Sequence, residues 1–515
     1  MGVLLRVSED RHVVPRWRAF ARTLRNGELG IFGPDGEQSP GPAHLDARTR
    51  VQIEADLASF ELHPGRYLAS DLLSRVLEGQ VDPRRAVRIA RHVIDTEGAD
   101  TSLRSVADEA ARRYDPERSA EELVLTAPPP PIDPRVVVRD ARKVLARSPR
   151  NAVVWTDLAL AQTESGELAR AHRSISVALS LAPRNRFVVR SAARFYVHVG
   201  EPDRARWVLN RAERWSDPWI VSADIAVATI LGDAPRSFMR RAGRLLDGSH
   251  AARDTSELAC GLASLEFSSG NRKSGRRLIT LGLENPTENA VAQAEFEAQR
   301  SAFELPESMV EVPGSHEAQA LDLLDRGEWE PAASAAQKWQ ADQLFDPDAA
   351  MHLSYLASVG LEDFETSRRA AQSGLIANPD NAILWNNAAF AAANLGELAE
   401  ATTLLERARQ LLVLAPGDDV SFTATQGLIE FRSGNIDRGR AAYRQAVESA
   451  QGHKLTSLAA LAAAYWLQEE SLANEHLDRG VIEDAVSLVQ SSREKGAQAV
   501  LDRVAKRIGL TADET

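Results

Sequence analysis

The one cysteine, Cys260, sits between Leu258-Ala259 and Gly261-Leu262. A thiolate nucleophile needs a cation or a helix N-terminus beside it. With small and apolar flanks and no adjoining Lys or Arg, Cys260 reads as a buried structural thiol. A single cysteine also excludes an intramolecular disulfide framework and fits a reducing compartment. The eleven histidines are scattered, with neither an HExxH pair nor the Cys/His spacing of a zinc site, so no metal and no cofactor is expected. Residues 269–277, SGNRKSGRR, have the glycines and cations of a phosphate-binding loop but lack its GK[ST] ending, and a hairpin turn is the better reading. A GxSxG nucleophile elbow is missing too. The expectation is a protein without enzymatic activity.

Arginine is the chemistry-bearing residue that does gather. Arg6, Arg11, Arg16, Arg18, Arg22 and Arg25 lie around Trp17 and Phe20, and Arg84, Arg85, Arg88 and Arg91 share one helix. Guanidinium groups beside aromatic rings are what grips nucleic acid. Acidic residues interleave, however, among them Glu9, Asp10, Glu28, Asp82 and Asp95, and the net charge is −12 from 61 basic and 73 acidic residues. A solvated or internally paired face is therefore expected, and nucleic acid is not the expected partner.

Elements that position these groups must be helices. The chain is 515 residues long, 44% hydrophobic and 26% charged, with aromatics at only 6%. That length exceeds a single globular core, and the Ala-rich, aromatic-poor composition suits closely packed helices better than sheets. The N-terminus lacks the apolar run and small-residue cleavage site of a secretory signal. No stretch approaches the roughly 18 apolar residues of a membrane span. A cytoplasmic protein is expected, and the Arg/Ala-rich composition suggests a bacterial one.

The organisation shows in a duplication. Residues 148–171, SPRNAVVWTDLALAQTESGELARA, recur at 378–401 as NPDNAILWNNAAFAAANLGELAEA, with Trp155 and Trp385, Gly166 and Gly396, Ala171 and Ala401 at one common offset. Trp155, Leu158 and Ala159 mark one helical face; after Gly166, the residues Ala171, Ile175 and Ala178 mark a second, which Pro183 ends. The next segment repeats this αα-hairpin in register, with Gly200, Ala205, Leu209 and Ala212 each 34 residues on.

That period resembles the tetratricopeptide repeat, most clearly over 152–219 and 382–415. The resemblance implies an all-α, tetratricopeptide-like α-solenoid of helix hairpins in two arrays. Residues 1–125 read as a mainly helical N-terminal domain, 126–134 (TAPPPPIDP) as a proline-rich linker, 135–303 as the first array, 304–315 as a connector, and 316–508 as the second array with a C-terminal capping helix. Residues 220–254 and 286–314 depart from the repeat pattern and are expected to form irregular helix pairs.

In such arrays the first helix of each hairpin lines a concave face. Counting along the repeats places Ile383, Asn386, Phe390, Leu428, Phe431, Leu455, Leu458 and Tyr465 on it in the second array, as a largely apolar channel for a protein or peptide partner. In the first array it places Phe187, Arg190 and Arg194, a basic spot. The family's clamp for acidic peptide C-termini needs Lys and Asn where this chain has Thr156 and Leu160, so that specialisation is not expected. The leading expectation is a non-enzymatic interaction scaffold or adaptor. Two alternatives stand beside it: a ligand-sensing regulatory subunit of transcriptional or phage-defence type signalling through the N-terminal domain, and a nucleic-acid binder or enzyme with its active part in 1–125. Nothing in the sequence names the partner or sets an oligomeric state.

Overall fold

A computed structural model of the chain describes residues 15–20, 23, 47–77, 81–82, 84–96, 104, 106–108, 110–111, 133–212, 216–233, 236–247, 250–301, 303, 305, 312–411, 416–473, 479–492 and 494–509. Among them there is no strand. The helices are α1 (Ala47–Leu62), α2 (Arg66–Leu77), α3 (Val87–Asp95), α4 (Pro134–Leu145), α5 (Ala152–Glu164), α6 (Leu168–Leu181), α7 (Arg186–His198), α8 (Pro202–Arg211), α9 (Pro218–Ile230), α10 (Arg236–Leu246), α11 (Ala252–Ser268), α12 (Arg272–Gly282) and α13 (Glu288–Ser301). They continue as α14 (His316–Arg326), α15 (Trp329–Asp342), α16 (Pro347–Tyr355), α17 (Phe364–Ala377), α18 (Ala382–Asn394), α19 (Leu398–Gln410), α20 (Pro416–Arg432), α21 (Ile436–Gly452), α22 (Thr456–Ala473), α23 (Arg479–Gln490) and α24 (Lys495–Ile508). A π turn, Leu356–Gly360, follows α16. The described residues fall into two compact units, one within 10–315 and one within 316–515.

The duplicated stretches fold alike for identifiable reasons. Asn151 and Asn381 cap α5 and α18, their side chains accepting from the backbone N–H of Val154 (3.2 Å) and Leu384 (3.0 Å). Trp155 and Trp385 each donate their indole N–H to the carbonyl of a proline six residues earlier, Pro149 and Pro379, at 2.8 Å. Both rings stay half-buried and tie the helix start to the preceding turn. Gly166 and Gly396 take φ of 73° and 83°, a left-handed conformation that a side chain would strain. Ala171, Ala178, Ala401 and Ala408 are fully buried where the hairpin helices approach most closely. These are tetratricopeptide-like helix hairpins, and the fold is the expected all-α solenoid.

Residues 220–254, expected to form irregular helix pairs, hold most of α9 and the eleven-residue α10. The stretch between α13 and α14 is non-helical at 303, 305 and 312–315, where it is described. The proline run of 126–132 and the Gly/Pro-rich 27–45 lie outside the described residues. Helices α1 to α3 do not keep a core to themselves. Phe60, Leu72, Leu73, Ile89 and Val93, with Val106 and Ala110, join Ala152, Val153, Ala178, Phe187 and Trp219 of the first array in one cluster.

Candidate functional site

The apolar channel expected in the second array is not an open surface. Ile383, Asn386, Phe390, Leu428, Phe431 and Tyr465 are all buried, and only Leu455 and Leu458 are half-exposed. The ring of Phe390 stands edge-on to Tyr465 at 5.2 Å and to Phe364 at 6.3 Å, while Phe431 lies over Gly439, where an added Cβ would meet its ring. One contiguous core takes in these side chains together with Ala497, Val500, Leu501 and Val504 of α24. Burial of six of the eight side chains replaces the expected open channel with core packing.

What fills the channel is the chain itself. Helix α24 packs along α22 and reaches back to the end of α16. The Tyr355 hydroxyl donates to Glu494 at 2.5 Å, and Gly496 lies so close to that ring that a Cβ would collide with it. Arg503 donates to the carbonyl of Val359 at 2.8 Å and pairs with Glu362 at 3.3 Å. The π turn supplies that carbonyl, since a helix end leaves C=O groups that a guanidinium satisfies. Burial and the Glu494 carboxylate push the Tyr355 hydroxyl well above the ordinary tyrosine range. The C-terminal helix was expected to cap the last hairpin with a polar outer face. It does expose Asp502, Lys506 and Arg507, but its other side also meets Tyr355 and the π turn after α16.

In the first unit the same role falls to residues 15–20, Pro-Arg-Trp-Arg-Ala-Phe. Residues 15–19 have no regular secondary structure, yet Trp17, Arg18 and Phe20 are buried. The backbone N–H of Phe20 donates to the Asp157 carboxylate on α5 at 2.9 Å. Its ring meets Phe187 of α7 edge-on at 5.0 Å, and Trp17 meets Phe195 of α7 edge-on at 6.0 Å. Arg16 reaches Glu288, in the first turn of α13, at 2.9 Å, and Arg18 pairs with the same carboxylate. Residues 15–20 are thus held by α5 and α7 near the start of the array and by α13 at its end.

Beneath it runs a buried polar layer. Arg190 donates to Glu257 of α11 at 2.7 Å and to the Trp219 carbonyl at 2.6 Å, with its guanidinium over the Trp219 ring. Glu257 also accepts from Asn289 at 2.9 Å, Arg186 pairs with Asp217 at 2.8 Å, and the Trp219 indole donates to Asp254 at 3.0 Å. The expected basic spot is therefore an internal one. Phe187 and Arg190 are buried, and Arg194 is half-buried. Charges taken out of water need such partners, because desolvation costs several kcal/mol per ion. Glu297 on α13 accepts from Gln293 at 3.4 Å, and its carboxyl is raised above the ordinary range chiefly by burial.

The remaining sequence candidates are accounted for as follows. Arg85 makes a two-pronged exposed pair with Glu54 at 2.7 and 2.8 Å, Arg84 and Arg88 are exposed, and Arg6, Arg11, Arg22 and Arg25 lie outside the described residues. SGNRKSGRR forms the turn from α11 into α12, with Asn271 donating to Glu266 at 2.7 Å. Cys260 is buried, and burial together with Glu257 and Glu297 pushes its thiol far up. Among the described residues no helix is long and apolar enough to cross a membrane, and no group of three or more His, Cys, Asp or Glu side chains is placed to hold a metal. Sequence reasoning missed the occupants of both arrays. The available signal was the absence of charge on α18, AILWNNAAFAAAN, where an open groove would leave one face polar.

Fold and grooves together define a tetratricopeptide-like helical-repeat protein. No family model matches the chain, and no curated protein matches its sequence. Among solved structures it is similar to yeast Tom70, at 12% identity over 90% of this chain and 97% of that one, with a TM-score of 0.31. It is also similar to a monomeric IFIT1 mutant solved with m7Gppp-AAAA, at 12% identity over 88% of this chain and 99% of that one, again with a TM-score of 0.31. At that level of superposition neither names a partner for this chain.

Proposed function

We propose that the protein is a non-enzymatic interaction scaffold of the tetratricopeptide type, and that the first array's groove is its protein-binding surface. The observation that carries this reading is the seating of residues 15–20, where two rings, one backbone N–H and two guanidiniums each find a receptor on α5, α7 or α13. Recognition of extended peptides in repeat grooves works through such spaced anchors. A photo-crosslinking residue at half-exposed position 194 in living cells tests the reading. Adducts with a defined protein are expected. Adducts with nucleic acid in their place, or none at all, would overturn it in favour of a nucleic-acid binder or of an activity within 1–125.

A further inference from the structure

We propose that a groove on α4, α5 and α6, apart from the one that holds residues 15–20, docks an acidic segment of a partner protein: an aromatic or aliphatic side chain with carboxylates on both sides of it. Helix α5 turns Asp157 toward residues 15–20, and Trp155, Leu158 and Gln162 toward this second groove. Both α4 and α6 pack on α5, and the three enclose a cavity of about 520 Å³, a size that ligand sites commonly have. Its floor is apolar, from the buried Leu145 and Leu158 and the half-buried Trp155 and Val177, while the exposed Arg142 of α4 and Arg170 and Arg173 of α6 rise at its banks. Arg170 pairs with Glu167 at 2.6 Å, but among the described residues no carboxylate or carbonyl meets the guanidinium of Arg142 or of Arg173. Gln162 is only 3% exposed, and its carbonyl accepts from Ser174 at 2.8 Å. Its amide N–H groups are left on the cavity wall, free for an acceptor on the occupant.

Charge selects an anionic occupant. In a chain of net charge −12, α4 sets Arg135, Arg139, Arg142 and Lys143 against Asp140 alone, and α6 has Arg170 and Arg173 with no acidic residue. The aliphatic floor favours a protein segment over nucleic acid, whose bases stack on open aromatic platforms. Trp155, the one aromatic lining residue, is half-buried with its indole N–H held by Pro149. The duplicated hairpin shows that folding does not demand this set. Where Arg142, Arg170 and Arg173 stand it has Gln372, Glu400 and Thr403, and the Gln162–Ser174 pair becomes Ala392 and Leu404, with Leu404 packed on the second core. The one cation among the counterparts, Arg407, replaces Val177 of the floor.

The probe is a fluorescent capped peptide, Glu-Asp-Phe-Leu-Asp-Glu, titrated with the full chain and followed by anisotropy. Binding that weakens with added salt is expected. The same peptide with Phe and Leu replaced by Ser, or with its carboxylates replaced by amides, should bind at least about tenfold more weakly. The decisive variant gives the first hairpin the residues of the second: Arg142→Gln, Arg170→Glu and Arg173→Thr together. All three side chains are exposed, so melting should change little, while affinity falls at least about tenfold. Arg142→Gln and Arg173→Thr alone should each give part of that loss. Unchanged affinity in these variants would place the peptide elsewhere and overturn the proposal, as would no binding to the unsubstituted chain. Equal binding of the Ser-substituted peptide would reduce the groove to a patch of surface charge and also overturn it. An oligouridylate that displaces the probe at lower concentration than unlabelled peptide does would assign the groove to nucleic acid instead. None of these outcomes bears on adducts at position 194, which test the scaffold groove alone.

Discussion

Arg190 shows how much depends on single side chains inside the first array. Its guanidinium joins α7 to α11 through Glu257 and to α9 through the Trp219 carbonyl, all away from water. Removing one member of a buried pair leaves the other charge stranded, at about 3–5 kcal/mol. Arg190→Ala should therefore lower the unfolding free energy read from urea curves by that much without changing helicity at low denaturant. Glu297 gives the opposite case. Its carboxyl is raised by burial, so the folded state holds the proton more tightly than the unfolded chain does, and stability falls as pH rises through the window above the unfolded carboxylate value. Glu297→Gln should leave stability at about pH 4 nearly unchanged and raise it at about pH 8, as read from paired denaturation curves. Equal effects at both pH values would show that the carboxylate's hydrogen bonding balances its desolvation. For the N-terminal arginines a solvated or internally paired face was expected from the interleaved acidic residues, whereas Arg190 was expected as a basic spot on the concave face. The particular pairs were not legible, because Arg16 and Glu288, or Arg190 and Glu257, meet only after the solenoid has curled.

Among the elements, α18 and α20 test whether the inward helices are surface or core. Phe390 and Phe431 are buried against Tyr465, Tyr443 and Phe364. Replacing a buried Phe with a small residue costs about 3–5 kcal/mol. Phe390→Ser and Phe431→Ser should each lower the melting temperature by several degrees, and an unchanged melt would return these side chains to an open surface. Hairpin positions, turn glycines and helix-contact alanines could be read from the sequence because each is set within one 34-residue unit by local sterics, as the paired Asn and Trp contacts of α5 and α18 show. Coverage of the inward faces could not be read by counting along a repeat. It is decided by α24 and by residues 15–20, both far away in sequence and neither obeying the repeat.

For the molecule, that coverage changes how stability is distributed. An open solenoid is nearly one-dimensional: each hairpin touches its neighbours, and trimming one end frays that end. The unit within 316–515 is instead closed. Helix α24 binds α22 and also holds the π turn and Tyr355 at the end of α16, through Arg503, Glu494 and the close approach of Gly496. Deleting residues 494–515 removes Val500, Leu501 and Val504 from the shared core and exposes Phe390 and Tyr465 to water. Hydrogen exchange should therefore speed up in 347–394, distant from α24 in sequence, as well as in 456–490, and a dye that reports exposed apolar surface should bind. Gly496→Ala offers a gentler version. The added methyl must push α24 away from Tyr355, and overpacking of this kind costs about 1–3 kcal/mol. If the truncated chain loses protection only in 456–490, α24 is a simple end cap. If 347–394 loosens as well, the unit is held shut from its C-terminal end, and its groove is core in the working protein.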